Sequence, residues 1–304
     1  MEETVFEARN LTKKYRHTLA LDHINLSLQR GEIYGFIGEN GAGKTTTIRL
    51  VTGLSFPTEG SISLFGKLGE KELQMQRARI GCMVETPALY KNMTAEQNLE
   101  AQRIQRGIPD RECIGKTLKL VGLSDTGKKS VRHFSLGMRQ RLGIAMALLN
   151  DPEFLILDEP INGLDPSGIV EIRELMKRLN RERGITLLVS SHILSELYQT
   201  ATRYILLHKG RVLEELTQNE LDEKCKRHIA IKTNDASKTA AALENALHTT
   251  NFHVMPDNTV RLYDHLNNME DVARILAQAG LLVTGLSLAG DSLENYFLHK
   301  IGGR

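Results

Sequence analysis

Two groups of residues in this sequence have the types and spacing for chemistry on a phosphate. The run Gly38-Glu39-Asn40-Gly41-Ala42-Gly43-Lys44-Thr45 fits G-x-x-x-x-G-K-[ST] and sits between an apolar run and a helix-forming one. Glycines let a backbone wrap closely, so that successive N–H groups and a helix N-terminus face phosphate oxygens. In such a loop Gly38, Asn40, Gly41, Ala42 and Gly43 form the cradle and Lys44 reaches the β and γ phosphates of a bound nucleotide. The Thr45 hydroxyl then ligates Mg²⁺ and Thr46 adds a donor. The second group is Asp158-Glu159, two acids closing the apolar run 154–157. Strand C-termini are where α/β sheets bind ligands. There Asp158 suits Mg²⁺ and Glu159 suits polarising an attacking water as general base. An Asp-Glu pair alone is ordinarily a solvated turn; the buried run before it and the phosphate loop upstream favour the chemical reading.

These residues need a sheet and helices to hold them. Residues 33–37 run apolar straight into the loop, and residues 44 onward into a helix, which makes the first strand–loop–helix unit of an α/β core. Before it, residues 5–27 alternate apolar and polar, as half-buried strands of an antiparallel β layer do. From about 77 to 150 helical periodicity dominates, and Thr94 with Gln97 forms a capping box, so a helical subdomain is expected there. Strand 154–157, a helix striped by Ile169, Ile172, Leu175 and Leu179, and strand 185–189 then imply parallel pairing through a right-handed crossover. Two short strands, 204–207 and 211–213, flank a Lys209-Gly210 turn.

A charged stretch, 222–227, marks a boundary, giving an ATP-binding domain over 1–221 and an accessory domain over 222–304. The second part reads strand 229–232, helix 237–247, strand 252–255, a turn at Pro256-Asp257-Asn258, strand 260–263, helix 269–278 and strand 281–286. That β-α-β-β-α-β order is the split, ferredoxin-like arrangement of a small α+β domain. A last helix carries Leu293, Tyr296, Phe297 and Leu298, which should pack on something.

Composition bounds the partners. The 304 residues carry 39 basic and 37 acidic side chains, and no block of like charge suggests nucleic acid. Three cysteines, Cys82, Cys113 and Cys225, are far apart and lack metal spacing, which suits reduced thiols in the cytosol. The N-terminal MEETVFEARN is not a secretory signal, and no apolar run approaches the roughly 20 residues that cross a membrane.

Between about residues 5 and 215 the sequence resembles the ATP-binding-cassette family of P-loop ATPases. The family's signature LSGGQ stands here as Phe134-Ser135-Leu136-Gly137-Met138. The resemblance implies that Ser135 and Gly137 hold the γ phosphate of ATP on an opposing subunit; the first glycine and the glutamine have been replaced. It also implies that Asn162-Gly163-Leu164-Asp165-Pro166 is the loop that crosses to that subunit and His192 the switch histidine near the γ phosphate. Tyr15, 23 residues before Gly38, matches the aromatic stacked on adenine. Where the family usually has a metal-sensing glutamine, this sequence has Glu85, which keeps a hard oxygen, loses an amide donor and adds charge. That departure, with PALYKNMTAEQNL and SLGMRQR, resembles the bacitracin and lantibiotic resistance exporters.

The resemblance implies an ATPase whose two copies, or paired subunits, sandwich two ATP molecules and drive a separate integral membrane subunit, from the inner face of the membrane. Leu89 and Tyr90, in the loop 87–93, offer that subunit a contact. Two alternatives carry different expectations. A chromosome-type member would insert heptad arms between Lys44 and Ser135, yet only 91 residues separate them; a ribosome-acting member would hold two cassettes. A regulatory module that binds ATP without cleaving it would have no use for Asp158, Glu159 and His192 together. The accessory domain's role stays open between regulation and stabilising a dimer.

Overall fold

The computed structural model describes residues 3–290 and 293–302, which divide into two compact units, the first ending at Gln218 and the second beginning at Asn219. In the first unit, β1 (Thr4–Tyr15) and β2 (Thr18–Gln29) pair antiparallel. β3 (Ile33–Ile37) and α1 (Lys44–Val51) bracket the glycine loop, and β4 (Glu59–Leu64) joins the other side of β1. After α2 (Glu70–Gln76) comes β5 (Ile80–Met83), then three helices: α3 (Ala95–Gln105), α4 (Glu112–Leu120) and α5 (Leu136–Leu148). The chain continues through β6 (Phe154–Asp158), α6 (Pro166–Arg183), β7 (Thr186–Ser191), α7 (Leu194–Tyr198), β8 (Arg203–His208) and β9 (Arg211–Thr217).

Two sheets result: a three-stranded one, β2-β1-β4, and a six-stranded one, β5-β6-β7-β3-β8-β9, parallel except for β9. Helix α1 lies in the core between them, where Ile48, Leu50 and Val51 meet Phe6 and Leu28 of one sheet and Phe36 and Ile156 of the other. All five residues of β3 and all five of β6 are buried, which is why these strands read as unbroken apolar runs. Tyr34 completes the seam: its buried hydroxyl accepts the Gln29 amide at 2.8 Å, and burial pushes its pKa up to about 12.

The stretch 77–150 is not helical from its start, because β5 pairs parallel with β6 inside the main sheet. Helices α3 to α5 follow it. Thr94 caps α3 in the two-way capping box expected from the sequence. β4 is a further strand with no counterpart in the periodicity reading.

The second unit holds α8 (Gln218–Cys225, entering from the first unit's last residue), β10 (His228–Thr233), α9 (Ala236–Leu247), β11 (Phe252–Val254), β12 (Val260–Leu262), α10 (Met269–Gln278), β13 (Val283–Ala289) and α11 (Leu293–Gly302). Its sheet runs β11-β12-β10-β13, every neighbouring pair antiparallel. Ile229, Ile231, Val260 and Leu262 pack with Leu243 of α9 and Val272 and Leu276 of α10. In α11 Phe297 is buried, whereas Leu298, expected to pack, is exposed. No helix among the described residues is long and apolar enough to cross a membrane.

Candidate active site

Strand register builds the site. β7 lies between β6 and β3, with Asp158 opposite Ser190 and Ile37 opposite Ser191, so the ends of the strands that carry the glycine loop, His192 and the acids follow one another along one side of the sheet. The loop's glycines answer to packing as well as to any ligand. A Cβ on Gly43, whose φ is 114°, would lie 2.7 Å from Leu21 Cδ2 and 2.9 Å from the Ala20 carbonyl oxygen. Gly43 is also the N-cap of α1 and supplies no side-chain cap, so the first amides of that helix have no intrahelical partner and are suited to an anion.

A cleft of about 450 Å³ opens at this point, lined by Asn40, Gly41, Gly43, Lys44, Thr45, Thr46, Glu85, Asp158 and Glu159, among others. Gly38 and Ala42 do not line it. They stand behind the loop: the Ala42 amide donates to the Glu39 carbonyl at 3.1 Å and its own carbonyl accepts from Gly210 at 2.9 Å. Lys44 is 6% exposed, its ammonium donating to the Gly38 carbonyl at 2.5 Å and lying 4.0 Å from Glu159 Oε1. Burial pushes its pKa down, and the Glu159 and Asp158 carboxylates oppose that shift.

The two acids are placed differently. Asp158, almost wholly buried, accepts from the Thr45 hydroxyl at 3.0 Å through Oδ2 and from the Ser190 hydroxyl at 2.5 Å through Oδ1. Glu159 turns out of the strand in the left-handed region, at φ 51°, with its amide held by the Ser190 carbonyl at 3.2 Å and hydroxyl at 3.0 Å. Its carboxylate Oε2 meets His192 Nδ1 at 2.8 Å. A continuous line of contacts therefore runs Thr45, Asp158, Ser190, Glu159, His192. Ser190 is the member that residue patterns gave no reason to choose; only its pairing with Asp158 across the sheet reveals it. Glu85 lines the same cleft, at φ 54°, and pairs with Arg49 of α1 at 3.4 Å.

Other expected residues lie apart from the cleft. The Tyr15 ring is 42% exposed beneath the Lys13 ammonium, and Thr18, Leu19 and Ala20 line the cleft instead. Ser135 caps α5, its Oγ accepting the Met138 amide at 3.2 Å, and neither it nor Gly137 borders the cleft. A Cβ on Gly137 would make only ordinary contacts, 3.8 Å at the nearest, so packing within the chain does not require that glycine. Asp165 caps α6, accepting from the Gly168 amide at 3.1 Å. The Cys82 thiol has its pKa pushed up to about 12, chiefly by burial.

The donor set suits a hard cation. Thr45 and Asp158 present hard oxygens side by side, yet no group of three or more His, Cys, Asp or Glu that could hold an ion occurs among the described residues. Mg²⁺ is held in this way, through one or two protein oxygens with phosphate and water completing the shell.

Residues 21–162 match the ABC transporter family. The chain is 41% identical, over 99% of its length and 97% of the relative's, to the bacitracin transport ATP-binding protein BcrA of Enterococcus faecalis. It is 42% identical to the BcrA of Bacillus licheniformis, over 99% of this chain and 98% of that one. The chain belongs to the ABC transporter family. It is the ATP-binding, ATP-hydrolysing subunit of such a transporter. Among solved cassettes, cbiO1 of Clostridium perfringens, part of the ABC transporter complex cbiONQ, aligns with a TM-score of 0.68 at 28% identity, over 73% of this chain and 92% of that one. MJ0796, seen as a dimer in a post-hydrolysis state with ADP and Pi, aligns at 0.62 and 29% identity, over 70% and 98% of the two chains.

Proposed function

We propose that two copies of this subunit close head to tail over two ATP molecules, each held by the glycine loop of one copy and by Ser135 and Gly137 of the other. The observation that carries this reading is the line from Thr45 to His192 beside a cleft that Ser135 and Gly137 of the same chain do not border. In this reading a second chain supplies the signature contacts. Amides at the start of α1, with Asn40, Gly41, Thr46 and Lys44, bind the phosphates; Gly38 and Ala42 shape the loop from behind; Tyr15 takes the adenine on its exposed face. Thr45 and Asp158 hold Mg²⁺, with Glu85 available to it once released from Arg49, and the ion when bound neutralises phosphate charge. Glu159 takes the proton of the attacking water, and His192, hydrogen-bonded to Glu159, fixes the direction of that carboxylate.

A separate integral membrane subunit is the proposed partner, with this chain at the inner face of the membrane and no nucleic acid involved. The loop 87–93 supports that docking: Tyr90 is 58% exposed, beside a hollow of about 530 Å³ bordered by Leu89, Gln102, Arg106 and Met146. The cargo is a peptide antibiotic or similar amphiphile, moved outward, a proposal resting on the two bacitracin relatives and on the lantibiotic transport ATP-binding protein SrtF of Streptococcus pyogenes, 40% identical over 69% of this chain and 90% of that one. We read residues 1–221 as the cassette and 222–304 as an accessory domain of ferredoxin-like type. The test is a Glu159→Gln variant run at dilution on a sizing column. A dimer with ATP but not with ADP is expected, and a strictly monomeric variant with ATP bound would overturn the sandwich.

A further inference from the structure

The sheet of the second unit has two edge strands that differ in kind. β11 spans three residues and sets exposed His253 at its centre, the short, polar edge by which proteins discourage further pairing. β13 spans seven residues. The segment 279–290, AGLLVTGLSLAG, holds no charged residue and no proline. Leu282 just before the strand is 66% exposed and Leu288 within it 47%. The register irregularity lies at the strand's N-terminal side, opposite Lys232 and Thr233, and leaves 285–289 in regular register with 228–232. Among the described residues of this strand, no charge, proline or bulge blunts the half 285–289.

We propose that β13 is a pairing edge through which two copies of this chain associate, strand against antiparallel strand, into one continuous sheet. The two edges select the partner. A three-residue β11 cannot match a seven-residue β13, so like pairs with like, and an isologous contact closes at two copies instead of growing into a fibre. A neutral edge meets itself without repulsion, whereas a partner strand bearing charge would find no counter-ion there. Leu286 and Leu288 stand opposite Ile231 and Ile229, on the face that α9 and α10 cover, so Leu288 in a pair extends the apolar layer across the junction. The association needs no nucleotide and stands apart from the ATP sandwich proposed above.

Sedimentation of the whole chain, nucleotide-free and in chelator, tests this over a range of concentration. A reversible dimer is expected. Leu282→Lys and Leu288→Lys, both at exposed side chains, should each weaken it at least about tenfold. Hydrogen exchange at the β13 amides should slow as the wild-type protein is concentrated and should not in the lysine variants. Leu288→Lys in a Glu159→Gln background should retain ATP-dependent dimers at dilution, which separates this contact from the nucleotide one. A wild-type chain that stays monomeric without nucleotide, β13 amides indifferent to concentration, or lysine variants that are folded and dimerise as before would each overturn the proposal.

Discussion

Replacing Ser190 by alanine removes one oxygen from a fully buried position and leaves the strand's backbone pairing in place. What is lost is the 2.5 Å bond to Asp158 Oδ1 and one of two acceptors for the Glu159 amide. The amide keeps the Ser190 carbonyl at 3.2 Å, so the larger part of the loss falls on the carboxylate. A hydrogen bond to a charged group contributes about 1.5–3 kcal/mol. Asp158, left with Thr45 alone, is then free to rotate, and that energy appears as weaker Mg²⁺-nucleotide binding or slower turnover by about 10- to 100-fold. Calorimetry of nucleotide binding with and without Mg²⁺ separates the two, since a change confined to the Mg²⁺-dependent part belongs to Asp158. Ser191→Ala is the control: Ser191 is equally buried, but its hydroxyl accepts from the Ile193 amide and touches neither acid. The reasoning fails if folded Ser190→Ala shows wild-type Mg²⁺ dependence and turnover, or if Ser191→Ala matches its defect.

Two further perturbations test the scaffold. Gly43→Ala combines a backbone angle that side chains rarely adopt with a close approach to Ala20 and Leu21. It should cost about 2–5 kcal/mol and lower the melting temperature of the first unit by roughly ten degrees; an unchanged melt would show that the loop has room to relax. Glu153 binds Arg79 at 2.5 and 2.9 Å and Arg30 at 2.5 Å, and Arg79 above all pulls its pKa down to about 2. A carboxyl more acidic in the folded chain stabilises it fully above the ordinary value of 4.5, and that contribution fades as the pH falls toward about 2. The side chain is 36% exposed, so solvent screening reduces a ceiling of about 3 kcal/mol to about 1 kcal/mol. Denaturant unfolding of Glu153→Gln should therefore show a deficit at neutral pH that closes through the acid range, and a deficit independent of pH would refute the assignment.

The sequence was most informative where one element carries its own pattern. The phosphate loop is written in consecutive residues, β6 is an unbroken apolar run ending in acids, and α6 shows its stripe together with an Asp165 cap and Gly184 in the left-handed turn that ends it. β5 was illegible for a physical reason. Its four residues are too few to show a period, and Gly81 is set by a remote neighbour, since a Cβ there would lie 2.4 Å from the Ala147 carbonyl oxygen of α5. Ser190 and Arg49 escaped notice because nothing near them in the chain marks them: their partners are 32 and 36 residues away and meet them only after folding. The proximity of Lys44, Thr45, Asp158, Glu159 and His192 could be anticipated from motif order, whereas the split of tasks between a buried aspartate and a left-handed glutamate is a property of the sheet end.

Ser135 illustrates how one atom can face two ways. Its Oγ lone pair is engaged by the Met138 amide at the first turn of α5, while no acceptor for its hydroxyl proton occurs among the described residues. Anchorage therefore leaves the other side of the same oxygen for the outward donation proposed above. Aspartate at this position would preserve the anchorage and present a repelling charge to any anion, so the helix can be kept intact while its reach toward a neighbour is switched off. The side chains at 136 and 138 share neither duty, since Met138 meets Ser135 through its backbone amide alone.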